Sequence, residues 1–151
     1  MISAELVGKL REETGVGVMA CKQALEEANG DFTKAKAILS KSAEAIAKQK
    51  AERAANQGII ETYAHQGKIG VMLELACESD FVAKNDQFKE LAHEIAMQIA
   101  SMNPKDTAEL LEGTYIRDES LTMQKLIEQV TLKIGENIQI KRFIRYELGE
   151  A

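Results

Sequence analysis

Two different periodicities meet in the middle of this chain, and together they narrow what it can fold into. Over residues 69–77, Ile69, Val71, Leu73, Leu75 and Cys77 alternate with Gly70, Met72, Glu74 and Ala76. A period of two marks a strand with one buried face. Over residues 85–101, Phe88, Leu91, Ala92, Ile95, Ala96 and Ile99 fall at i, i+3, i+4, i+7, i+8 and i+11, the single stripe of an amphipathic helix. A β-branched segment over residues 59–64 precedes the strand, joined to it through His65-Gln66-Gly67-Lys68. This pattern predicts a hairpin. Asn103-Pro104 ends the helix, because the residue before proline leaves the helical region. A weakly patterned connection follows, with a short extended piece expected at residues 114–117. Met123, Ile127, Val130 and Ile134 predict a further helix over residues 121–134, closed by Gly135. The last strand, over residues 137–148, is expected to put Ile138, Ile140, Ile144, Tyr146 and Leu148 on one face, interrupted at Arg142. Residues 56–151 thus read as α+β: a small antiparallel sheet with helices packed on one side.

The pattern before residue 56 is purely helical. Ser3 can cap a helix whose apolar face is Leu6, Val7 and Leu10. Thr14-Gly15-Val16-Gly17 reverses the chain, since glycine reaches the conformations a tight turn needs. Val18, Cys21, Leu25 and Ala28 form the stripe of a second helix, stopped at Asn29-Gly30. Asp31 caps a third, striped by Phe32, Ala35, Ile38, Leu39, Ser42 and Ile46 and expected to run out over residues 48–53 as a solvated helical linker. Residues 1–55 therefore read as a separate three-helix unit, close to the size limit for folding alone at about 50 residues.

Several function classes are disfavoured. The 24 acidic and 19 basic residues leave a formal charge of −5, the opposite of a nucleic-acid-binding footprint. No apolar run approaches the roughly 20 residues that span a bilayer, and the first residues lack a secretory h-region. A cytoplasmic chain is expected. Cys21 and Cys77 are far apart, outside any CxxC pair, and the only histidines are His65 and His93. A metal site would need four separate segments to converge, so two buried free thiols and no cofactor are expected. No nucleophile elbow, zincin or P-loop motif occurs, and Gly15-Val16-Gly17 follows a helix rather than a strand. These absences point away from an enzyme.

Residues 79–82, Ser79-Asp80-Phe81-Val82, stand out as an apolar pair in a connection that should be polar. Ser79 or Asp80 can cap a helical turn while Phe81 tucks beneath the sheet. Alternatively, Phe81 is an exposed aromatic anchor for a partner's pocket. Met19 and Lys22 fall off the second helix's stripe, and Arg11 lies one turn past Val7. They are either ordinary surface or a Met–Lys patch.

Three segments read together are specific: TGVGVMACKQALEEANGD (residues 14–31), KIGVMLELACESDFVAKNDQFKELAHEIAMQIA (residues 68–100) and KIGENIQIKRFIRYELGE (residues 133–150). In this order they resemble the elongation factor Ts family over most of the chain. The resemblance implies a ubiquitin-associated-like three-helix domain followed by a dimerisation-type α+β core. It implies guanine-nucleotide exchange on elongation factor Tu during translation elongation. Asp80 and Phe81 would push against the partner's GTPase domain near its magnesium and phosphate site, with Val82 supporting the turn, and Arg11, Met19 and Lys22 would contact the same domain. Tyr63-Ala64-His65 matches a hairpin tip that touches the partner in the second core unit of longer members, which makes His65 a candidate. Two departures are visible. Ser79 stands where the family usually has Thr, and the stretch from residue 104 to 120 is too short for a second core unit or a coiled-coil insertion. A homodimer supplying the second unit in trans is therefore expected. The rival readings are an adaptor using residues 1–55 alone and a thiol-dependent enzyme built on Cys21 or Cys77.

Overall fold

A computed structural model describes residues 2–150. Helices α1 (Ala4–Thr14), α2 (Val18–Glu27) and α3 (Phe32–Lys50) precede strands β1 (Gln57–His65) and β2 (Ile69–Cys77). The one-turn helix α4 (Asp80–Ala83), α5 (Asp86–Met102), α6 (Thr107–Glu112) and α7 (Met123–Ile134) follow, then strand β3 (Gln139–Glu147). The sheet is antiparallel in the order β1-β2-β3. The α+β class expected from the two periodicities is what forms.

The caps explain the boundaries. Ser3 accepts the Leu6 N–H, Asp31 that of Lys34, Asn85 those of Gln87 and Phe88, and Thr122 that of Lys125. Each satisfies donors that the first helical turn leaves unpaired. Gly15 (φ 70°), Asn103 (φ 49°) and Gly135 (φ 84°) end α1, α5 and α7 in the left-handed conformation. Helix α6, capped by Asp106, lies where no apolar periodicity was evident. Six residues are too few to display one.

Helix α5 packs across β1 and β2. Phe88, Ile95 and Ile99 interlock with Leu73, Leu75 and Met123, all fully buried. At roughly 1.5–3 kcal/mol per buried large side chain, this cluster is the main stabiliser of the second part of the chain. A smaller cluster joins Val7, Leu10, Cys21, Leu25 and Leu39 of the first three helices. Val18, expected in its stripe, is largely exposed at the first position of α2.

Helix α7 serves both clusters. Met123 and Ile127 enter the sheet core, while Leu132 packs against the three-helix cluster. The flexible end of the Lys133 side chain lies over Gly15, whose left-handed φ of 70° is what favours glycine there. The segment expected as a solvated helical linker is exposed along most of its length, and it is also tied to the turn after α7. Lys50 Nζ donates to the Gly135 carbonyl (2.8 Å), Gln139 Nε2 to that of Ala51 (3.0 Å) and Asn137 Nδ2 to that of Arg53 (2.7 Å). Only Lys50 donates outward, to a carbonyl of the turn after α7; the other two bonds run from neutral amides of the following segment to carbonyls of this one.

The last strand departs most from expectation. Leu75 pairs with Ile140 but Glu74 pairs with Arg142, leaving Lys141 as the extra residue of a β-bulge. One inserted residue turns every later side chain to the opposite face. Ile140 and Phe143 pack on the core, whereas Ile144, Tyr146 and Leu148 face outward and are exposed. The five-residue apolar face therefore does not exist. Arg145 turns inward and donates to the Ala100 carbonyl near the end of α5 (3.2 and 3.1 Å).

Candidate functional site

Strand pairing stops at Cys77, and the chain reverses into α4. Ser79 caps this turn, its Oγ accepting the Val82 N–H (3.2 Å). The cap residue is Ser79, one of the two options the sequence left open. Val82 and Ala83 are buried in the core, whereas Phe81 just before them is 83% exposed. Phe81 does not tuck beneath the sheet. Asp80, in the first turn, reaches Lys84 one turn on (2.9 Å). That bond and the nearby carboxylate hold the Lys84 ammonium above its usual range.

The turn is held from outside by one carboxylate. Glu136 Oε1 accepts the backbone N–H groups of Glu78 and Ser79 (both 3.0 Å), and its Oε2 accepts the Ser79 hydroxyl proton (2.6 Å). Glu78 answers by accepting the Asn137 N–H (2.6 Å), and Arg53 stands 3.7 Å from the Glu78 carboxylate. Cys77 Sγ donates to the Ser79 carbonyl (3.2 Å). Burial, then the Glu136 charge, pushes this thiol up, the reverse of what a nucleophile requires. Glu78 and Glu136 belong to no candidate set drawn from the sequence. They are brought together from 58 residues apart, a separation at which no local spacing signals contact.

Met19 (70% exposed) and Lys22 are three residues apart on the solvent side of α2, and Arg11 is exposed on α1. His65 ends β1, with Nδ1 2.9 Å from the Tyr63 hydroxyl. His93 stacks edge-on against Tyr63 (5.7 Å) and lies 3.8 Å from Glu61. The histidines thus meet each other's neighbours rather than a cysteine. Both thiols are free and buried, in separate clusters. His65 pairs with the first residue of β2, and Ser79 follows the last. At a rise of roughly 3.3 Å per residue the strand separates the two by about 25 Å. One copy of the chain does not unite them.

Comparison with known proteins decides the family. The sequence model described as Elongation factor TS matches residues 78–151. An elongation factor Ts of Coprothermobacter proteolyticus is 42% identical over 195 aligned positions, covering 99% of both chains. That of Thermotoga maritima is 42% identical over 193, covering 99% of this chain and 97% of its own. That of Thermoanaerobacter pseudethanolicus is 40% identical over 196, covering 99% and 96%. The chain belongs to the elongation factor Ts family. Membership makes it a translation elongation factor, active in protein biosynthesis. The aligned spans exceed the 151 residues of this chain, so these elongation factor Ts relatives carry residues with no counterpart here. No helix among the described residues is long and apolar enough to cross a membrane.

Proposed function

We propose that this chain is a guanine-nucleotide exchange factor for elongation factor Tu, without catalytic chemistry or cofactor of its own, working in the cytoplasm. It binds the GDP complex, and the tip formed by Ser79, Asp80, Phe81 and Val82 presses on the GTPase domain near its magnesium and phosphate site. The observation that carries this is the setting of Phe81: an exposed ring on a one-turn helix whose next two residues are buried. A large apolar side chain projecting from a turn whose backbone is fixed is placed to fill a partner's pocket, with little backbone freedom left to lose on binding. Residues 1–55 act as a second contact unit through Arg11, Met19 and Lys22, joined to the core of residues 56–151.

Exchange requires no acid, base or nucleophile. A factor that binds the nucleotide-free partner more tightly than the GDP-bound one weakens GDP by the same ratio, because coupling between two ligands is reciprocal. Each tenfold of weakening takes about 1.4 kcal/mol of differential contact, which a wedge engaging only the open form can supply.

The chain works as a homodimer. The outer sheet face supports this: Ile60, Met72, Ile144 and Tyr146 are exposed beside the Glu74–Arg142 ion pair (2.8 Å). A second copy would also bring its own His65 to a partner already held by the first copy's tip.

Stopped-flow release of fluorescent GDP from elongation factor Tu tests the assignment. Phe81→Ala and Asp80→Ala each slow stimulated release by about tenfold or more while the circular dichroism spectrum is kept, a loss on the scale of a hot-spot side chain. A wild-type chain that leaves the GDP release rate unchanged refutes exchange. Fully active mutants refute the site.

A further inference from the structure

We infer that Glu136 is a positioning residue for the tip: by gripping Ser79 it sets the direction in which Asp80 and Phe81 leave the fold. The inference deepens the proposed exchange function and rests on it. Glu78 and Ser79 lie past the end of the β1–β2 ladder, so their N–H groups have no strand partner. Both turn to one oxygen of Glu136, while the other takes the Ser79 hydroxyl proton. With its proton committed there, Ser79 Oγ presents a lone pair to the Val82 N–H and closes α4. Three hydrogen bonds to an ionised acceptor are each stronger than neutral ones.

Glu136 is itself fixed. It follows Gly135, whose left-handed conformation ends α7, and it precedes Asn137, which is held by Glu78 and by the Arg53 carbonyl. Two turns therefore exchange carboxylates: each side chain binds the other's backbone. The same turn that aims the tip also anchors the segment leading from the first three helices. Through it, the orientation of Phe81 is referred to the helices that carry Arg11, Met19 and Lys22.

The test compares Glu136→Ala, Glu136→Gln and Glu136→Asp in the full chain. In the free protein, amide hydrogen exchange at Val82 and Ala83 should speed up by about tenfold or more in Glu136→Ala, which removes all three bonds to the carboxylate, with Leu73 and Leu75 still protected. In the GDP-release assay, the maximal stimulated rate should fall about tenfold. The concentration giving half the effect should stay within about twofold, since the helical contact surface is untouched. Gln keeps an oxygen for the two N–H groups and should stay within about threefold of wild type. Asp keeps the charge but cannot reach, and should fall with Ala. If Ala melts below the assay temperature, Asp carries the comparison. Unchanged protection at Val82, a Gln variant as impaired as Ala, or a loss confined to the half-effect concentration overturns the proposal. If the wild-type chain fails to accelerate GDP release, the exchange assignment falls, and the amide measurement still decides the role of Glu136.

Discussion

Phe81 and Glu128 show how far a single side chain depends on its surroundings. Phe81 stays exposed because Val82 and Ala83 use the buried side of the turn, so burying the ring would expose both. Glu128 is the opposite case, a carboxylate nearly shielded from solvent on α7. Burial, then the Glu44 charge, raises its pKa above 4.5. Between 4.5 and the raised value the folded chain holds the proton more tightly than the unfolded one. Stability therefore falls as pH rises through that window and stays lower above it. Glu128→Gln removes this charge. Melting at pH 7 should rise, each 1 kcal/mol recovered appearing as roughly 2–4 °C in a chain of this size. The gain should vanish below pH 4.5, where both states of the wild type are protonated. A gain equal at both pH values would point to packing instead of charge.

Among elements, the connection between α6 and α7 is held as a unit by α5. Gln98 Nε2 donates to the Thr114 carbonyl (2.8 Å), and its Oε1 accepts the Ile116 N–H (3.0 Å). Glu94 accepts the Tyr115 hydroxyl (2.7 Å) and pairs with Arg117. Burial and the Glu94 carboxylate push the Tyr115 phenol up to about 12, so the phenol keeps the proton it donates well above neutral pH. Gln98 is fully buried, and its loss would leave two backbone groups unpaired. Gln98→Ala should cost about 2–4 kcal/mol, read by urea denaturation, and amide exchange should quicken first around residues 113–122. A loss below about 0.5 kcal/mol would mean that water replaces both bonds.

The whole molecule is two apolar clusters sharing one helix. Because Leu132 of α7 packs on the cluster of the first three helices and α3 lies along α7, residues 1–55 alone would expose that surface. The isolated 1–55 segment should melt at least about 10 °C below the full chain in calorimetry, a few kcal/mol at this size. Equal melting would show that α7 contributes nothing to it. Met72 and Ile144 pair across β2 and β3 on the outer face. In the proposed homodimer Met72→Lys should bury a charge without a partner. It should shift sedimentation from dimer to monomer at micromolar concentration with the fold intact. A wild-type monomer at that concentration refutes the dimer.

At this scale the division between sequence and tertiary structure becomes clear. Helices α1, α2, α3, α5 and α7 and strands β1 and β2 were legible because apolar period and capping residues are local properties. The exposed setting of Phe81 was open, since solvent exposure depends on what Val82 and Ala83 find to pack against. Helix α6 was hidden by its brevity. The outward turn of Ile144, Tyr146 and Leu148 was misjudged because the bulge at Lys141 depends on how β3 pairs with β2, and alternation within one strand carries no record of its neighbour's register. The carboxylate exchange between Glu78 and Glu136 was invisible for the same reason. The sequence by itself determined the longer helices, the strands, and the buried faces of β2 and α5. Only the tertiary structure decided which distant polar groups meet, because hydrogen bonds across 58 residues form only after the packing of α7 and β2 has brought their ends together.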